Sequence, residues 1–384
     1  MKYFIIAGEA SGDLHASNLM GSIKKKDADA EFCFLGGDLM LAQGGKLVKH
    51  YKEMAFMGII PVLLHARTVL ANIKQCKQAI LDYAPDVLIL VDYPSFNLKM
   101  AQFVKENMPS VPVYYYISPK LWAWKEYRLK SIRKYVDKVF SILPFEVKWF
   151  GDRGYTVEYV GNPCVDAVEA RKHKDESREE FEARTKVGAQ PIIALLAGSR
   201  VQEIKSSLPI MLEAASQYKD YQMVVAGVKS IAPSVYDPII KKHNAQIIYD
   251  ETYELLQQSE LAIVCSGTAT LETALLRVPQ VVVYMISGGW LVHRFLELFI
   301  RVPYISLVNL IADKWVVKEL VSENFTVQKV REEIDKLRAG THREQMLCDY
   351  DELIELLGHE SASDRAANAM WKAINERVVA RKNA

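Results

Sequence analysis

Short runs dominated by Val, Ile and Leu alternate along the chain with longer stretches whose apolar residues recur every three or four positions. The first pattern predicts strands buried on both faces and the second predicts amphipathic helices. Their alternation is that of a parallel sheet covered on both sides. Strands are expected at 2–7, 31–35, 87–91, 113–117, 138–142 and 157–160, and the rhythm repeats at 192–196, 222–226, 246–248, 261–264 and 280–284. Between the two series lies 164–190, a charged stretch holding Arg171-Lys172-His173-Lys174-Asp175-Glu176, with the composition of an interlobe connection and a solvated helix. Beyond about residue 327 only helical periodicity remains, over 327–337, 344–357 and 364–381. The expected class is therefore α/β, with two Rossmann-like lobes facing a central cleft and helices at the C-terminus. The expected boundaries are 1–165, 185–340 and 341–384. A single large domain with an exposed helix in its middle is the competing division.

Composition narrows the class without naming a chemistry. At 384 residues, with 50% apolar and 25% charged content, the chain can bury two cores. A net charge of +1 gives no overall attraction to nucleic acid, and none is expected as a partner. Cys33, Cys76, Cys164, Cys265 and Cys348 form no CxxC pair and no metal-ligand spacing, and read as free thiols in a reducing cytoplasm. The chain enters a strand-like run at Tyr3, with no export signal expected before it. The longest candidate for a membrane span, 281–300, is interrupted by His293, Arg294 and Glu297.

Open α/β sheets bind ligands just outside the carboxyl ends of their strands, so chemistry is sought in the loops that follow them. The first is Gly8-Glu9-Ala10-Ser11-Gly12-Asp13, which suits a tight turn into a helix and close approach to an anion; plain turn chemistry accounts for it equally well. The second, Asp92-Tyr93-Pro94-Ser95-Phe96-Asn97, ends a buried strand in a carboxylate. Asp92 is either a general base for an acceptor hydroxyl or a cap for the helix beginning near Asn97. The third carries Trp122-Ala123-Trp124, a wall for a sugar or acyl chain or simply core. It is locally basic through Lys120, Lys125, Arg128, Lys130, Arg133 and Lys134.

In the second half, Gly198-Ser199-Arg200 opens the backbone after a strand and offers a guanidinium to a diphosphate. Ser266-Gly267-Thr268 starts a helix whose unpaired N–H groups suit a phosphate, and Glu272, one turn on, can accept from ribose hydroxyls. An ordinary capped helix with a solvated Glu272 is the alternative. The run 55–64 is strongly apolar yet broken by Gly58 and Pro61 and followed by His65 and Arg67, which fits either a bilayer-contacting patch or core.

With these segments in order, together with Ser306-Leu307-Val308-Asn309-Leu310, the chain resembles the lipid-A-disaccharide synthases, inverting glycosyltransferases of the two-Rossmann-lobe (type B) architecture. The resemblance covers 2 to about 322. It implies transfer from UDP-2,3-diacylglucosamine to 2,3-diacylglucosamine 1-phosphate, giving the β-1,6-linked lipid A disaccharide 1-phosphate and UDP. It makes Asp92 the base, sets Arg200 against the leaving diphosphate, and places Ser266, Gly267, Thr268 and Glu272 around phosphate and ribose. Asn309 would lie near the sugar or diphosphate, and Glu9 and Ser11 on the first-lobe side of the cleft. No cofactor and no metal are expected. The segment 56–64 would be a membrane-contacting insertion, placing the protein at the cytoplasmic face of the inner membrane, and a homodimer through the second lobe and C-terminal helices comes into consideration. Ala197 stands where many members have proline, and Lys120 and Leu121 vary within the tryptophan loop. The rival readings are a peptidoglycan-type transferase, a UDP-sugar epimerase, or a membrane-binding protein without turnover. A NAD-dependent oxidoreductase is disfavoured because the first loop lacks the required glycine spacing.

Overall fold

The apolar runs pair as two sheets in the computed structural model, which describes residues 1–54, 66–123, 125–285 and 303–382. The first sheet holds β1 (Lys2–Ala7), β2 (Glu31–Gly36), β3 (Lys46–His50), β4 (Val87–Val91), β5 (Val113–Tyr116), β6 (Lys138–Ser141) and β7 (Glu158–Tyr159), in the order β3-β2-β1-β4-β5-β6-β7. The second holds β8 (Ile192–Leu196), β9 (Gln222–Gly227), β10 (Gln246–Tyr249), β11 (Leu261–Cys265), β12 (Gln280–Tyr284) and β13 (Lys318–Val321), in the order β10-β9-β8-β11-β12-β13. Neighbouring strands are parallel throughout, with Ala7 opposite Val91 and Val264 opposite Leu196. These are the two α/β lobes expected from the pattern. The strand order reverses between β1 and β4, and again between β8 and β11. Such a reversal opens a crevice at the strands' carboxyl ends.

The pattern misses β3 and β13. Both are edge strands, and both carry charge: Lys46 and Lys49 in one, Lys318 and Glu319 in the other. Charge on an edge strand blocks pairing with other chains, but it also removes the apolar run by which a strand is read.

Alternate residues of the first sheet face two separate cores. Phe4, Ile6, Leu88, Leu90 and Tyr115 pack with Cys76 and Ile80 of the helix Ala66–Tyr83 and with Met100 and Val104 of the helix Pro94–Asn107. Tyr3, Ile5, Ile89, Val91 and Tyr116 pack instead with Leu19 and Met20 of the helix Ala10–Lys24. That second face is completed from far along the chain, by Ala366, Ala367, Met370 and Ile374 of the helix Ala362–Lys382. The Lys25 ammonium meets the Asp364 carboxylate at 2.9 Å at the edge of this packing.

Accordingly the chain divides into one unit formed by Met1–Pro163 with the chain from Glu360 onward, and another formed by Cys164–His359. The helices of the segment 341–384 part company: Thr341–Leu357 buries Met346, Tyr350 and Leu353 in the second unit, while the last helix belongs to the first. The charged stretch after residue 164 becomes the helices Pro163–Glu169 and Arg178–Thr185, the latter opened by a capping box of Ser177 and Glu180. Cys33, Cys76, Cys164 and Cys265 are buried, Cys348 is exposed, and all five are free thiols.

Candidate active site

The loops after β1 and β4 lie side by side because their strands are neighbours. Gly8 has no room for a side chain: a Cβ there would collide with the Tyr93 ring. Glu9 is the N-cap of the helix Ala10–Lys24, and Ser11 is exposed in its first turn. Asp13, by contrast, is buried, and its carboxylate accepts from the N–H groups of Gly37 (2.7 Å), Leu39 (3.1 Å) and Met40 (3.2 Å). The last residue of the Gly-Glu-Ala-Ser-Gly-Asp run thus anchors the start of the helix Asp38–Ala42.

Asp92 and Tyr93 both adopt the left-handed conformation, with φ of 43° and 46°. Outside glycine this costs about 1–3 kcal/mol per residue and has to be held by the surroundings. The Asp92 carbonyl is clamped by the Asn97 amide (2.6 Å) and the Tyr115 hydroxyl (2.5 Å), both from fully buried side chains. Capping therefore does not explain Asp92. The helix it precedes starts at Pro94 with no side-chain cap, and Asn97 reaches back to the carbonyls of Val91 and Asp92. Burial pushes the Asp92 carboxyl above its ordinary value, while the Lys120 ammonium and the Tyr93 N–H pull it back. The outcome is a partly exposed carboxylate of enhanced basicity, with a cation beside it.

Lys120 belongs to the tryptophan loop, and that loop is fastened by a residue the sequence pattern does not single out. Glu146 is buried and accepts from the Ser118 hydroxyl (2.9 Å), the Trp122 indole N–H (3.0 Å) and the Ser141 hydroxyl. Burial pushes its carboxyl up to about 7, against the three hydrogen bonds and the Lys120 charge. Trp122 is therefore a tethered side chain, packed edge-on against Phe145 at 5.1 Å. The basic residues Lys130, Arg133 and Lys134 line the exposed side of the helix Leu129–Tyr135, whose Leu129 and Ile132 are buried. Trp124 and the apolar run 55–64 lie outside the described residues.

In the second unit the loops after β8 and β11 are neighbours in the same way. Gly198 has φ +98°, and a side chain there would press on the Glu203 carboxylate. Glu203 accepts from the N–H groups of Ser199 (3.1 Å) and Arg200 (3.2 Å) and from the Arg200 guanidinium (3.1 Å). It thereby orients the loop while Arg200 stays 74% exposed at its side chain. Beside it the helix Thr268–Leu275 begins at Gly267 with no side-chain cap and with Gly267 and Thr268 exposed, which leaves the positive end of the helix open to an anion. Ser266 differs from the expectation: its hydroxyl donates to the Ile305 carbonyl (3.1 Å) and its N–H to the Val283 carbonyl (2.9 Å). Both donors of Ser266 are committed within the fold, while Gly267 and Thr268 stay exposed. Glu272 is not simply solvated. It is partly buried, which pushes its carboxyl up, and it accepts from the Tyr253 hydroxyl at 3.1 Å.

Asn309 departs furthest from its expected role. It is fully buried. Its amide nitrogen donates to the Val317 carbonyl and to Glu319, and its oxygen accepts from the N–H groups of Val316 and Val317, each at 2.9 Å. Both protons and both lone pairs are engaged, leaving nothing to offer a sugar or diphosphate. Asn309 ties the helix Leu307–Ala312 to the segment that leads into β13. Sequence reasoning also misses Glu203 and Glu319. The first lies in a stretch that reads as ordinary helix and the second in an edge strand that the pattern passes over, so only their side-chain contacts reveal them.

Three comparisons bear on identity. A family model described as lipid-A-disaccharide synthetase matches residues 3–373. The lipid-A-disaccharide synthase of Myxococcus xanthus is 35% identical over 380 residues, covering 97% of each chain. That of Syntrophus aciditrophicus is 36% identical over 372 residues, covering 94% of this chain and 95% of the relative. Among solved structures, UDP-GlcNAc 2-epimerase from Neisseria meningitidis bound to UDP-GlcNAc superposes with a TM-score of 0.64 at 16% identity, covering 97% of this chain and 100% of that one. A calicheamicin glycosyltransferase gives 0.61 at 14%, covering 98% of both. At such identities the structures establish the shared two-lobe glycosyltransferase fold, while the family match runs through every loop described above. The chain belongs to the lipid-A-disaccharide synthase family of glycosyltransferases.

Proposed function

We propose that this chain joins UDP-2,3-diacylglucosamine to 2,3-diacylglucosamine 1-phosphate, with the acceptor's base in the first unit and the donor's diphosphate held in the second. Asp92 takes the proton from the acceptor 6-hydroxyl as that oxygen bonds to the donor's anomeric carbon. The bond from that carbon to the diphosphate oxygen breaks on the opposite face, so the configuration inverts and UDP departs. The exposed Arg200 guanidinium and the open N-terminus of the helix at Gly267 and Thr268 offset the charge that develops on UDP. Glu272, held by Tyr253, accepts from the ribose hydroxyls, while Glu9 and Ser11 line the acceptor side. This reaction draws on no cofactor or metal, since the leaving diphosphate is met by the guanidinium and the helix. The observation that carries the reading is Asp92: a carboxylate made more basic by burial, fixed in left-handed backbone at a topological switch point.

The acylated substrates place the enzyme at a lipid surface, and we assign it to the cytoplasmic face of the inner membrane. Among the described residues no helix is long and apolar enough to cross a membrane, so attachment would be peripheral. The composition of 55–64, apolar and followed by basic residues, favours that segment as the contact. Changing Ile59, Leu63 and Leu64 to Ser then releases the protein from vesicles of anionic phospholipid; unaltered co-sedimentation would return the segment to the core. Self-association through the second unit and the C-terminal helices belongs to the same reading and is read by light scattering.

The direct test is incubation with both acylated sugars in detergent, followed by mass spectrometry of the lipid product. A disaccharide 1-phosphate formed with stoichiometric UDP is expected. Protein that binds UDP yet forms no disaccharide would overturn the acceptor assignment.

A further inference from the structure

Glu319 projects from the edge strand β13, outside every motif that marks the family, yet its carboxylate gathers four donors. One oxygen accepts from the Ser306 N–H (2.8 Å), the Ser306 hydroxyl (2.8 Å) and the Asn309 amide (2.9 Å); the other accepts from the Ile305 N–H (2.9 Å). The two main-chain donors come from consecutive residues, so the carboxylate fixes the Ile305–Ser306 peptide in place. The carbonyl of Ile305 then receives the hydroxyl of Ser266, the residue that opens the diphosphate loop. Ser306 meanwhile caps the helix Leu307–Ala312 through the Asn309 N–H at 3.2 Å.

We infer that Glu319 is a positioning residue for the nucleotide-sugar donor, acting through Ile305 on Ser266 to set the height of the loop that presents Gly267 and Thr268. This rests on the donor-site reading above. The chemistry demands a carboxylate at this point. Four donors converge, and only a group that accepts at both oxygens satisfies them all. A glutamine of the same size turns one acceptor into an NH2 group, which must face either the Ile305 N–H or the Ser306 and Asn309 donors. The peptide would then swing away from one of them, and the Ile305 carbonyl would leave Ser266. The effect belongs to the donor, because among the described residues the network runs through Ile305, Ser306, Asn309 and Ser266.

The test is a double-mutant cycle on UDP binding by calorimetry, using the full-length protein, Glu319→Gln, Ser266→Ala and the double variant. Glu319→Gln is expected to weaken UDP about tenfold and to raise the KM for the donor while leaving that for the acceptor unchanged. Ser266→Ala cuts the same tether at its other end, so the double variant should bind UDP no more weakly than the weaker single. If Glu319→Gln does not fold, Glu319→Asp is read in its place: it keeps the charge but cannot reach both peptide donors. Wild-type affinity in the Glu319 variant, or losses that multiply in the double variant, would overturn the inference and leave the donor site standing. Failure of the wild-type protein to bind UDP would overturn both.

Discussion

The hydroxyl of Tyr115 donates to the main-chain carbonyl of Asp92 at 2.5 Å, so the backbone of the proposed base is fixed from the middle of the neighbouring strand. Burial and the nearby Asp92 charge keep that phenol protonated, and it remains a donor. The carboxylate is thereby positioned independently of any ligand. Asp92→Asn should lower turnover by about 10²–10⁴-fold while UDP binds as in the wild type. A fully active variant would remove Asp92 from the chemistry.

The Lys120 ammonium lowers a carboxyl that burial raises. The base must be ionised to act, so the acid limb of the kcat/KM profile reports its pKa and lies above the ordinary carboxylate range. Lys120→Met removes the opposing charge, and the limb should move to higher pH. A shift to lower pH, or none, would show that another group titrates there.

Asn309 spends all of its hydrogen bonds inside the fold, so its replacement should act on stability. Asn309→Ala orphans two buried N–H groups and costs about 3 kcal/mol, a drop of roughly 5–10 °C in the unfolding midpoint. Activity should fall with the folded fraction. An unchanged midpoint with collapsed kcat would put Asn309 against the substrate after all.

Glu146 gives the first unit a pH-dependent stability. Its folded-state pKa, pushed up to about 7 from the ordinary 4.5, makes the folded protein bind more protons than the unfolded chain between those values. Its contribution is therefore fully present below that window and is lost as pH rises through it, with a slope of at most about 1.4 kcal/mol per unit. Glu146→Gln mimics the protonated form and should flatten the change in midpoint between pH 5 and pH 8. Parallel curves for the two proteins would mean that Glu146 does not titrate in this range.

Gly198 sits at φ +98° with the Glu203 carboxylate in the space a side chain would need. Gly198→Ala should displace Glu203 from the N–H groups of Ser199 and Arg200 and weaken UDP binding by about tenfold or more. Calorimetry with UDP checks this, and an alanine variant of undiminished affinity would refute it.

The legibility of this chain follows burial. Strands such as β4 and β11, buried at every position, announce themselves as apolar runs, and the chemistry at their ends could be located from there. The edge strands β3 and β13 could not, because their charges serve solvent and tertiary contacts. Asp92 was legible as a carboxylate where a buried strand stops. Glu146 was not: Ser118 and Ser141, which bury it from 28 and 5 positions away, give no local sign. Asn309 lies in a recognisable motif, but a motif marks a residue as needed without saying whether it faces ligand or scaffold. Only its partners distinguish the two.

The last helix, which closes one face of the first sheet, also sets an order of assembly. Because the chain after Glu360 belongs with residues 1–163, the second unit is an insertion within the first. During synthesis from the N-terminus, the later unit has its whole sequence in hand as soon as His359 is available. The earlier one waits, with the face of Tyr3, Ile5 and Ile89 incompletely covered, for Met370 and Ile374. The half of the enzyme made first is thus the half completed last, and a ribosome that stops a few turns early leaves the first unit unfinished while the second is whole.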